Sequence, residues 1–483
     1  MIHGPDTSTF IELLYALPQH PFGPARTLFT PGEVVIARAP GRLDVMGGIA
    51  DYSGARVLQW PIREATLAAV QLSTDRTLRI VSLAEGATPR SCDVPLDVLA
   101  PEGTPVSHER ARAWFAADPD RHWAAYVGGA WVLLARERGL RLTTGARVLV
   151  TSSVPEGKGV SSSAALEAAV MLANAGAAGV DLSPREAALL CQRVENLVVG
   201  APCGVMDQMA SICGEAGRFM MLLCQPAEFE GTVPLPASLA VWGIDSGIRH
   251  AVSGADYGSV RIGAFMGYRV LAAEAGLRAE PGDREGHVRV EDPRWRGYLA
   301  NVTPEEFDQY ASRIPERMRG AEFLAQYGGT TDPVTRVDPG ATYGVRVPAR
   351  HPVAEHARVT EWRDRLVALG DSDENPDIVG PALGRLMYES HASYSACGLG
   401  SSGTDDVVAL AREVGPARGV YGAKITGGGS GGTVALLTRA EAAATVEEIV
   451  ARYADRSRRA TYVFSGSSPG AAASGTRRVK LYA

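Results

Sequence analysis

A predicted strand that runs into a glycine-serine loop and then an alanine-rich helix is the feature that most limits how this chain can fold. The apolar run 146–150 predicts the strand, and residues 164–178 have the composition of a buried helix. Between them, Gly157 and Gly159 allow a tight turn and close approach of a ligand. The serines at 161–163 stand where the unpaired N–H groups of a helix start would face an anion. This layout predicts a phosphate site, with an ordinary serine cap as the alternative that the segment alone leaves open.

Composition and charge favour a small-molecule ligand over a nucleic acid or a membrane. With 483 residues, of which 46% are apolar, the chain has room for large cores in more than one domain. A formal net charge of -6 provides no basic field for nucleic acid or anionic lipid. The 6 cysteines lack paired C-x-x-C spacing, which indicates reduced thiols rather than a disulfide scaffold. Because the N-terminus also lacks the pattern of a signal peptide, we expect a cytoplasmic protein.

The order of strand-like and helix-like segments predicts a mixed α/β fold. Apolar runs broken by glycine turns before residue 80 indicate strands, and residues 184–198 have helical spacing. We place the boundary between two domains near residue 205, which divides the chain into 1–205 and 206–483. A surface insertion is predicted near 277–345, and Gly370–Pro381 is a second stretch with surface character.

Three segments that are far apart in the sequence carry the residue types that one phosphoryl-transfer site needs. They are residues 37–54, the loop at 155–164, and residues 422–433. The third segment has a dense run of glycines after a short apolar run, which permits a backbone pressed against a ligand. A lone glycine-rich run is weak evidence, and the joint appearance of the three segments is much stronger.

Together these segments resemble the kinase superfamily of galactokinase, homoserine kinase, mevalonate kinase and phosphomevalonate kinase, whose three motifs occur in this order. The second family motif, Pro-x-x-x-Gly-Leu-Ser-Ser-Ser-Ala, is matched by Pro155, Gly159, the serines at 161–163 and Ala164. The one departure is Val160 in place of leucine. The loop is not a Walker loop, because no Gly-Lys-Ser/Thr ends it.

The resemblance implies a fold and a set of cofactors. It implies an N-terminal kinase domain that holds the sugar motif and the phosphate loop, and a C-terminal kinase domain that holds the third motif. The first is expected to contain a left-handed βαβ crossover, which is rare among such units, and the second a ferredoxin-like arrangement. ATP is expected to bind between the two domains with Mg²⁺, and a small sugar is the expected substrate.

Further segments resemble the galactokinase branch of the superfamily. They are Pro40–Arg42, His122–Val127, Glu195 followed by Val199–Gln208, and Asp256-Tyr257 after Gly247–His250. The resemblance extends from about residue 34 to the C-terminus.

The first motif lacks two polar side chains of the galactokinase pattern. Galactokinases have Gly-Glu-His-Thr-Asp-Tyr there, and this chain has Gly48 and Ile49 in place of the glutamate and the histidine. This segment, with Cys203–Met209 and Tyr394–Gly400, closely resembles the kinase part of plant L-arabinokinases. The resemblance therefore implies that the chain phosphorylates the anomeric hydroxyl of L-arabinose.

Four residues are expected to carry the chemistry by this resemblance. Asp207 matches the carboxylate that faces the attacking hydroxyl, and Arg42 matches the guanidinium between that hydroxyl and the γ-phosphate. An arginine beside an aspartate favours the ionised carboxylate, which suits a proton acceptor. Ser163 and Glu195 match the metal ligands, and both offer hard oxygen atoms for Mg²⁺. The alternatives are a structural salt bridge for the first pair and a solvated helix residue for Glu195.

The remaining site positions also come from the resemblance. The expected sugar-binding positions are Gly48, Ile49, Asp51, Gly204 and Tyr257. The expected nucleotide-binding positions are Trp123, Tyr126, Pro155, Gly157, Gly159, Ser161, Ser162, Ser163, Gly428 and Gly429. The two aromatic residues share a helix face that would border adenine, although aromatic pairs on helices more often belong to a core.

Three other functions fit the same scaffold. A non-catalytic sugar sensor would have a damaged phosphate loop, but the segment 161–165 is intact and Arg42, Glu195 and Asp207 are all present. A uronic-acid kinase should present a cation near the sixth carbon of the sugar, which Gly48 and its neighbour do not supply. A galactokinase is the closest alternative.

Overall fold

The computed structural model describes residues 5–83, 88–249, 255–370 and 376–482, and for Pro5, Ala255 and Asp256 it describes the backbone alone. His250 of the galactokinase-like pattern and part of the stretch Gly370–Pro381 lie outside the described residues. The side chain of Asp256 in the same pattern is not described either.

The described part of the chain contains both strands and helices throughout, which confirms the predicted mixed α/β class. The strands are β1 Gly32–Met46, β2 Arg56–Leu72, β3 Thr77–Ser82, β4 Arg90–Pro95, β5 Ala146–Ser152, β6 Arg218–Leu223, β7 Glu228–Pro234, β8 Leu239–Asp245, β9 Ala279–Pro281, β10 Gly286–Val290, β11 Arg317–Arg319, β12 Gly329–Thr330, β13 Thr342–Gly344, β14 Val420–Ile425, β15 Thr433–Arg439, β16 Val463–Ser465 and β17 Arg477–Leu481. The helices are α1 Pro5–Ala16, α2 Gly23–Arg26, α3 Leu96–Leu99, α4 His108–Ala116, α5 Ala125–Arg138, α6 Ser162–Ala178, α7 Pro184–Arg193, α8 Met206–Cys213, α9 Ala255–Glu274, α10 Pro304–Tyr310, α11 Gly320–Tyr327, α12 Arg346–Gly370, α13 Pro376–Ala396, α14 Ser402–Val414, α15 Ala443–Ser457 and α16 Ala471–Ser474.

The larger sheet has the strand order β17-β1-β2-β5-β3-β4, with β6 paired to β2 and β7 paired to β6. Strands β3 and β5 are parallel neighbours, and the chain between them passes through β4 and the helices α3, α4 and α5. Helix α6 packs across β1 and β2 and covers a core of mostly small aliphatic side chains. Because β6, β7 and β17 also join this sheet, it draws on residues from both sides of residue 205. The domain boundary at that residue stays a prediction.

Strand β1 is irregular at the point where it reaches the site. Its register with β2 shifts between Pro40 and Arg42 and again between Asp44 and Met46. Proline cannot donate to a strand ladder, and within a sheet it is tolerated at such bulges. The bulges bend the strand, and they place Arg42 beside the loop that follows β5 and Asp44 beside Thr426 at the end of β14.

The smaller sheet has the order β14-β15-β8-β16, and all of its neighbouring strands are antiparallel. Helices α14 and α15 pack against it around Val407, Leu410, Val446 and Ile449. The glycine-rich segment of the third motif forms the turn between β14 and β15, so the sheet holds that turn at one of its ends.

The predicted insertion near 277–345 has a core of its own. Trp295, Phe307 and Phe323 are each at most 1% exposed and pack with side chains of α9 and α12. Within the described ranges, no helix is long and apolar enough to cross a membrane.

Candidate active site

A cleft of about 750 Å³ lies where the loop after β5, the start of α8 and the turn between β14 and β15 meet. The predicted site residues that line it are Arg42, Ile49, Asp51, Gly157, Gly159, Ser161, Ser162, Ser163, Glu195, Gly204, Asp207, Tyr257 and Gly428. The lining also includes residues that lie in the motif segments but had no role predicted from the sequence, namely Ala201, Pro202, Cys203, Met206 and Gly427. The predicted residues outside the lining are Gly48, Trp123, Tyr126, Pro155 and Gly429.

The three sequence motifs are joined by backbone contacts. The amide of Arg42 donates to the carbonyl of Val160 at 3.1 Å. The Thr433 hydroxyl donates to the Lys158 carbonyl at 2.8 Å. A Cβ on Gly432 would lie 2.7 Å from that carbonyl, so only glycine allows the two loops to approach this closely. The motifs therefore form one continuous wall of the cleft.

Arg42 and Asp207 form a two-pronged ion pair inside the cleft. Arg42 Nε donates to Asp207 Oδ1 at 2.9 Å, and Nη2 donates to Oδ2 at 2.9 Å. Arg42 Nη1 also donates to the Gly159 carbonyl at 2.7 Å, which ties the guanidinium to the phosphate loop. The Arg42 side chain is only 2% exposed, whereas Asp207 is 25% exposed and accessible from the cleft. This geometry fixes the carboxylate by a charge-assisted pair and leaves it open to a ligand.

The start of α6 departs from an ordinary serine cap. Ser161 has a left-handed backbone with φ 60 and makes no side-chain capping bond. Its hydroxyl is buried and has no hydrogen-bond partner among the described residues. Strained residues of this kind are concentrated at ligand sites. This hydroxyl and the backbone N–H groups of the first helical turn could donate hydrogen bonds to an oxygen of a bound anion.

Glu195 lies in a π turn, Val194–Val199, that follows α7. The sequence predicted one helix over 184–198. In the structure α7 ends at Arg193 and the chain continues as the wider π turn, in which Glu195 faces the cleft. Burial raises the pKa of Glu195 to about 7, and the charge of Asp207 adds to that rise. Glu195 accepts hydrogen bonds from Ser163 and from Gln208, the latter at 2.7 Å.

A second buried carboxyl lies behind Glu195 and was missed by the sequence analysis. Glu167 is 1% exposed and accepts from the same Gln208 amide at 3.1 Å. Burial raises its pKa well above the ordinary value, and the charge of Glu195 contributes next. The available signal was its spacing, because Glu167 lies four residues after Ser163 and so on the same helix face.

The donor set at this place fits a divalent cation. A serine hydroxyl and a buried carboxylate offer the hard oxygen atoms that Mg²⁺ prefers, and Mg²⁺ usually keeps several waters and binds substrate phosphates. In the described part of the chain, no group of three or more His, Cys, Asp or Glu residues is arranged as a metal cage. The arrangement suits a metal held jointly by the protein and a bound nucleotide.

The other end of the cleft is built around Asp51. A Cβ on Gly204 would lie 1.7 Å from Asp51 Oδ2, so glycine is needed for this close approach. Burial raises the pKa of Asp51 to about 7, the Asp207 charge raises it further, and the Arg261 charge opposes the rise. Arg261 also donates to the Cys203 carbonyl at 3.1 Å and pairs with Asp332 at 2.8 Å. Asp332 comes from the 277–345 insertion, in which the sequence had suggested no chemistry.

The turn Gly47-Gly48-Ile49 is held by three buried acceptors from three different elements. The Gly47 amide donates to Glu355 Oε1 at 3.1 Å, the Gly48 amide to Asp44 Oδ1 at 3.0 Å, and the Ile49 amide to the Tyr394 hydroxyl at 2.9 Å. Ile49 reaches the cleft, and Gly48 lies behind it. The sequence analysis assigned no role to any of these three acceptors, because they converge only in the fold.

The two predicted adenine-side aromatics lie against the core at the margin of the cleft. The Arg90 guanidinium is 4.9 Å from the ring centroid of Trp123 and pairs with Glu156 of the phosphate loop at 2.8 Å. Trp123 and Tyr126 are partly buried and pack on the large core. Their contact with a nucleotide stays a prediction.

The sequence matches three family models. These are the "GHMP kinases N terminal domain" over residues 125–215, "GHMP kinases C terminal" over 379–455, and the "Galactokinase galactose-binding signature" over 26–72. All three of the motifs identified from the sequence overlap these ranges.

Among curated relatives, the L-arabinokinase of Arabidopsis thaliana is 44% identical over 93% of this chain. The chain spans 47% of the length of that protein. The galactokinase of Streptomyces coelicolor is 31% identical over 85% of this chain and 86% of its own length.

Among solved structures, Lactococcus lactis galactokinase complexed with galactose matches with a TM-score of 0.69 over 98% of this chain and 100% of that chain, at 20% identity. That level of identity establishes the fold alone. The galactokinase relative matched over most of its length, the three family models and the shared fold together show that this chain is a sugar 1-kinase of the galactokinase family, within the GHMP kinases.

Proposed function

We propose that this protein transfers the γ-phosphoryl group of ATP to the anomeric oxygen of L-arabinose and so forms L-arabinose 1-phosphate. The observation that carries the proposal is Gly48. Galactokinases place a glutamate there, and in this chain even a Cβ at that position would lie 1.4 Å from the Tyr394 hydroxyl. The similarity to L-arabinokinase over most of the chain supports the same substrate.

The chemical difference between the two sugars explains why this position matters. L-arabinose and D-galactose match in ring stereochemistry through the fourth carbon, and galactose carries an additional hydroxymethyl group. A site built to bond that hydroxyl would reject a sugar that lacks it by up to about 10⁴, because a buried polar group would be left unpaired. Gly48 removes that penalty, and Ile49, which is 1% exposed and lines the cleft, supplies the bulk that disfavours the larger sugar.

In the proposed reaction, Asp207 orients the attacking hydroxyl and accepts its proton, and Arg42 neutralises charge between that hydroxyl and the phosphoryl group. Phosphoryl transfer needs mainly positioning and charge neutralisation from the protein. The paired geometry of Arg42 and Asp207, and the bond from Arg42 to Gly159, support these roles. Asp51 is proposed to accept from ring hydroxyls, with Gly204 and Tyr257 beside it at the same end of the cleft.

ATP is proposed to bind along the phosphate loop, with its phosphates at Gly157, Gly159, the serines 161–163 and Gly428. Pro155 and Gly429 would lie at the edges of the phosphate site. Trp123 and Tyr126 would border adenine. Mg²⁺, held by Ser163 and Glu195, would neutralise the phosphate charges. The unpartnered Ser161 hydroxyl and the buried oxygen donors support this arrangement.

The finer topology is part of the same proposal. We propose a left-handed crossover between β3 and β5 and a ferredoxin-like C-terminal sheet. The order β16-β8-β15-β14, with one hairpin and two helical connections, supports the second of these. The division near residue 205 and a cytoplasmic location belong to the proposal as well.

Steady-state kinetics with ATP and a panel of pentoses, hexoses and uronic acids test the proposal. We expect kcat/KM for L-arabinose to exceed that for D-galactose by about tenfold or more, the scale of one badly fitted group. Equal values or a galactose advantage would indicate a galactokinase. Among the described residues that line the cleft, Arg42 is the only cation and is already paired, so a uronic acid should be a poor substrate.

A further inference from the structure

The Tyr394 hydroxyl occupies the space that any side chain at position 48 would need. A Cβ built on Gly48 lies 1.4 Å from Tyr394 Oη, 2.6 Å from its Cζ and 2.7 Å from Asp44 Oδ2, and the residue has φ 46. A side chain there would therefore collide with a ring and also strain the backbone. Tyr394 does not line the cleft, so it acts on the sugar site through the turn.

The hydroxyl also fixes the residue that does reach the sugar. It accepts from the Ile49 amide at 2.9 Å and lies 3.0 Å from the Gly427 carbonyl, to which it donates. Gly427 belongs to the glycine-rich turn that lines the other side of the cleft. The Tyr394 hydroxyl thus connects the turn Gly47-Gly48-Ile49 with the glycine-rich turn of the third motif.

Tyr394 is itself held firmly in place. Its side chain is 0% exposed and makes an edge contact with the His351 ring at a centroid distance of 5.3 Å. Lys424 Nζ lies 5.0 Å from the Tyr394 ring and pairs with Asp44 Oδ2 at 2.7 Å, with both side chains of that pair fully buried. A well-packed interior has little room for the ring to turn aside. The hydroxyl position is therefore a property of the fold.

We infer that Tyr394 is a positioning residue that determines sugar specificity: its hydroxyl keeps position 48 a glycine and holds Ile49 against the sugar. The inference deepens the proposed function and rests on it for the identity of the preferred sugar. It makes a claim of its own, namely that the effects of residues 48 and 394 on sugar binding depend on each other.

A double-mutant cycle tests this coupling. The proteins are wild type, Gly48→Ala, Tyr394→Phe and the double variant, each assayed for kcat and KM with L-arabinose and D-galactose and for ATP binding by calorimetry. We expect Tyr394→Phe to raise the KM for L-arabinose about threefold or more, which matches the loss of a modest hydrogen bond, with ATP affinity unchanged. The KM for D-galactose should rise less, so the preference for L-arabinose should fall. Gly48→Ala should lower sugar kcat/KM at least about tenfold when Tyr394 is present. In the Tyr394→Phe background the factor by which Gly48→Ala lowers kcat/KM should be at least about fivefold smaller, because the effects of residues in contact are not additive.

Tyr343→Phe is the matched control. Tyr343 is buried and its hydroxyl also accepts a backbone amide, that of Asp338 at 2.9 Å, but it belongs to the small β11–β13 sheet away from the turn. This variant loses the same kind of bond and should leave the ratio of kcat/KM for the two sugars unchanged. A Tyr394→Phe variant that also leaves this ratio unchanged would overturn the inference.

The outcomes separate the inference from the proposed function. A wild-type preference for galactose would refute the arabinose proposal, and the cycle would then be measured with galactose. Independent effects of the two substitutions would refute the inference whichever sugar is preferred. If Gly48→Ala does not fold, as judged by circular dichroism and ATP binding, the double variant is also made with Tyr394→Ala, which removes Cζ together with the hydroxyl. Recovery of folding in either double variant supports the collision, and failure of both refutes it.

Discussion

The buried pair Arg261–Asp332 gives the sharpest prediction, because it joins the insertion to the end of the cleft where we propose that the sugar binds. The substitution is Asp332→Asn, which keeps the size of the side chain and removes its charge. Asp332 is 0% exposed and Arg261 5% exposed, and two N–H groups of the guanidinium donate to the carboxylate at 2.8 Å each. Asp332 also accepts from the backbone amides of Val334 and Thr335 and from the Thr335 hydroxyl.

The expected cost follows from this burial. Burial alone would raise the pKa of Asp332, but the charge of Arg261 and the hydrogen bonds hold it below its ordinary value, so the pair is ionised. Removing one partner of a buried pair leaves an uncompensated charge and typically costs about 3–5 kcal/mol. Replacing both partners, as in Arg261→Met with Asp332→Asn, should cost less than the sum of the single changes.

The same substitution should weaken sugar binding. Arg261 holds the Cys203 carbonyl, and the next residue, Gly204, packs directly on Asp51. We expect the sugar KM to rise about tenfold, equivalent to about 1.4 kcal/mol, while the KM for ATP changes little.

The measurements are urea unfolding and steady-state kinetics, with Glu448→Gln as the control. Glu448 pairs with Arg418 at 2.8 Å, but the two side chains are 40% and 51% exposed, so its loss should have little effect on stability. An Asp332→Asn protein as stable as that control, or one with an unchanged sugar KM, would refute the reasoning.

Three other predictions concern the cleft. Asp207→Asn should lower turnover by about 10² or more with ATP binding nearly intact, the usual contribution of a general base, and retention of half the activity would contradict its role. Ser163→Ala and Glu195→Gln should raise the Mg²⁺ concentration needed for half-maximal activity, and a loss that no Mg²⁺ concentration restores would argue against metal binding. Because burial raises the pKa of Asp51 from 3.8 to about 7, its contribution to stability is complete below the lower value and is lost as the pH rises to the higher one. Between about pH 4 and 8, the thermal unfolding midpoint should therefore fall less steeply with rising pH in Asp51→Asn than in the wild type. Equal slopes in the two proteins would refute this assignment.

The local motifs could be predicted because their chemistry depends on residues that are neighbours in the sequence. The strand, loop and helix around Gly159 and Ser163 form as the composition indicates. The family assignment rests on the same short segments. Arg42 and Asp207 could be paired from the sequence only by resemblance, since 165 positions separate them in the chain.

Two features that could be described only from the tertiary structure are the π turn at Glu195 and the buried pair formed by the insertion. The π turn at Glu195 depends on how α7 packs, because the helical pattern continues through it unbroken. The insertion was judged a surface segment by its charge and glycine content, yet it supplies Asp332 to a buried pair.

The three acceptors that hold the turn Gly47-Gly48-Ile49 show most clearly what the sequence alone does not determine. Asp44, Glu355 and Tyr394 come from β1, α12 and α13, and each meets one amide of the turn. The sequence by itself determined the fold class, the glycine-serine loop between β5 and α6, and the absence of a polar side chain at Gly48. Only the packed fold decided what fills that space, because a buried side chain takes its position from neighbours that are distant in sequence, and no local pattern records which they are.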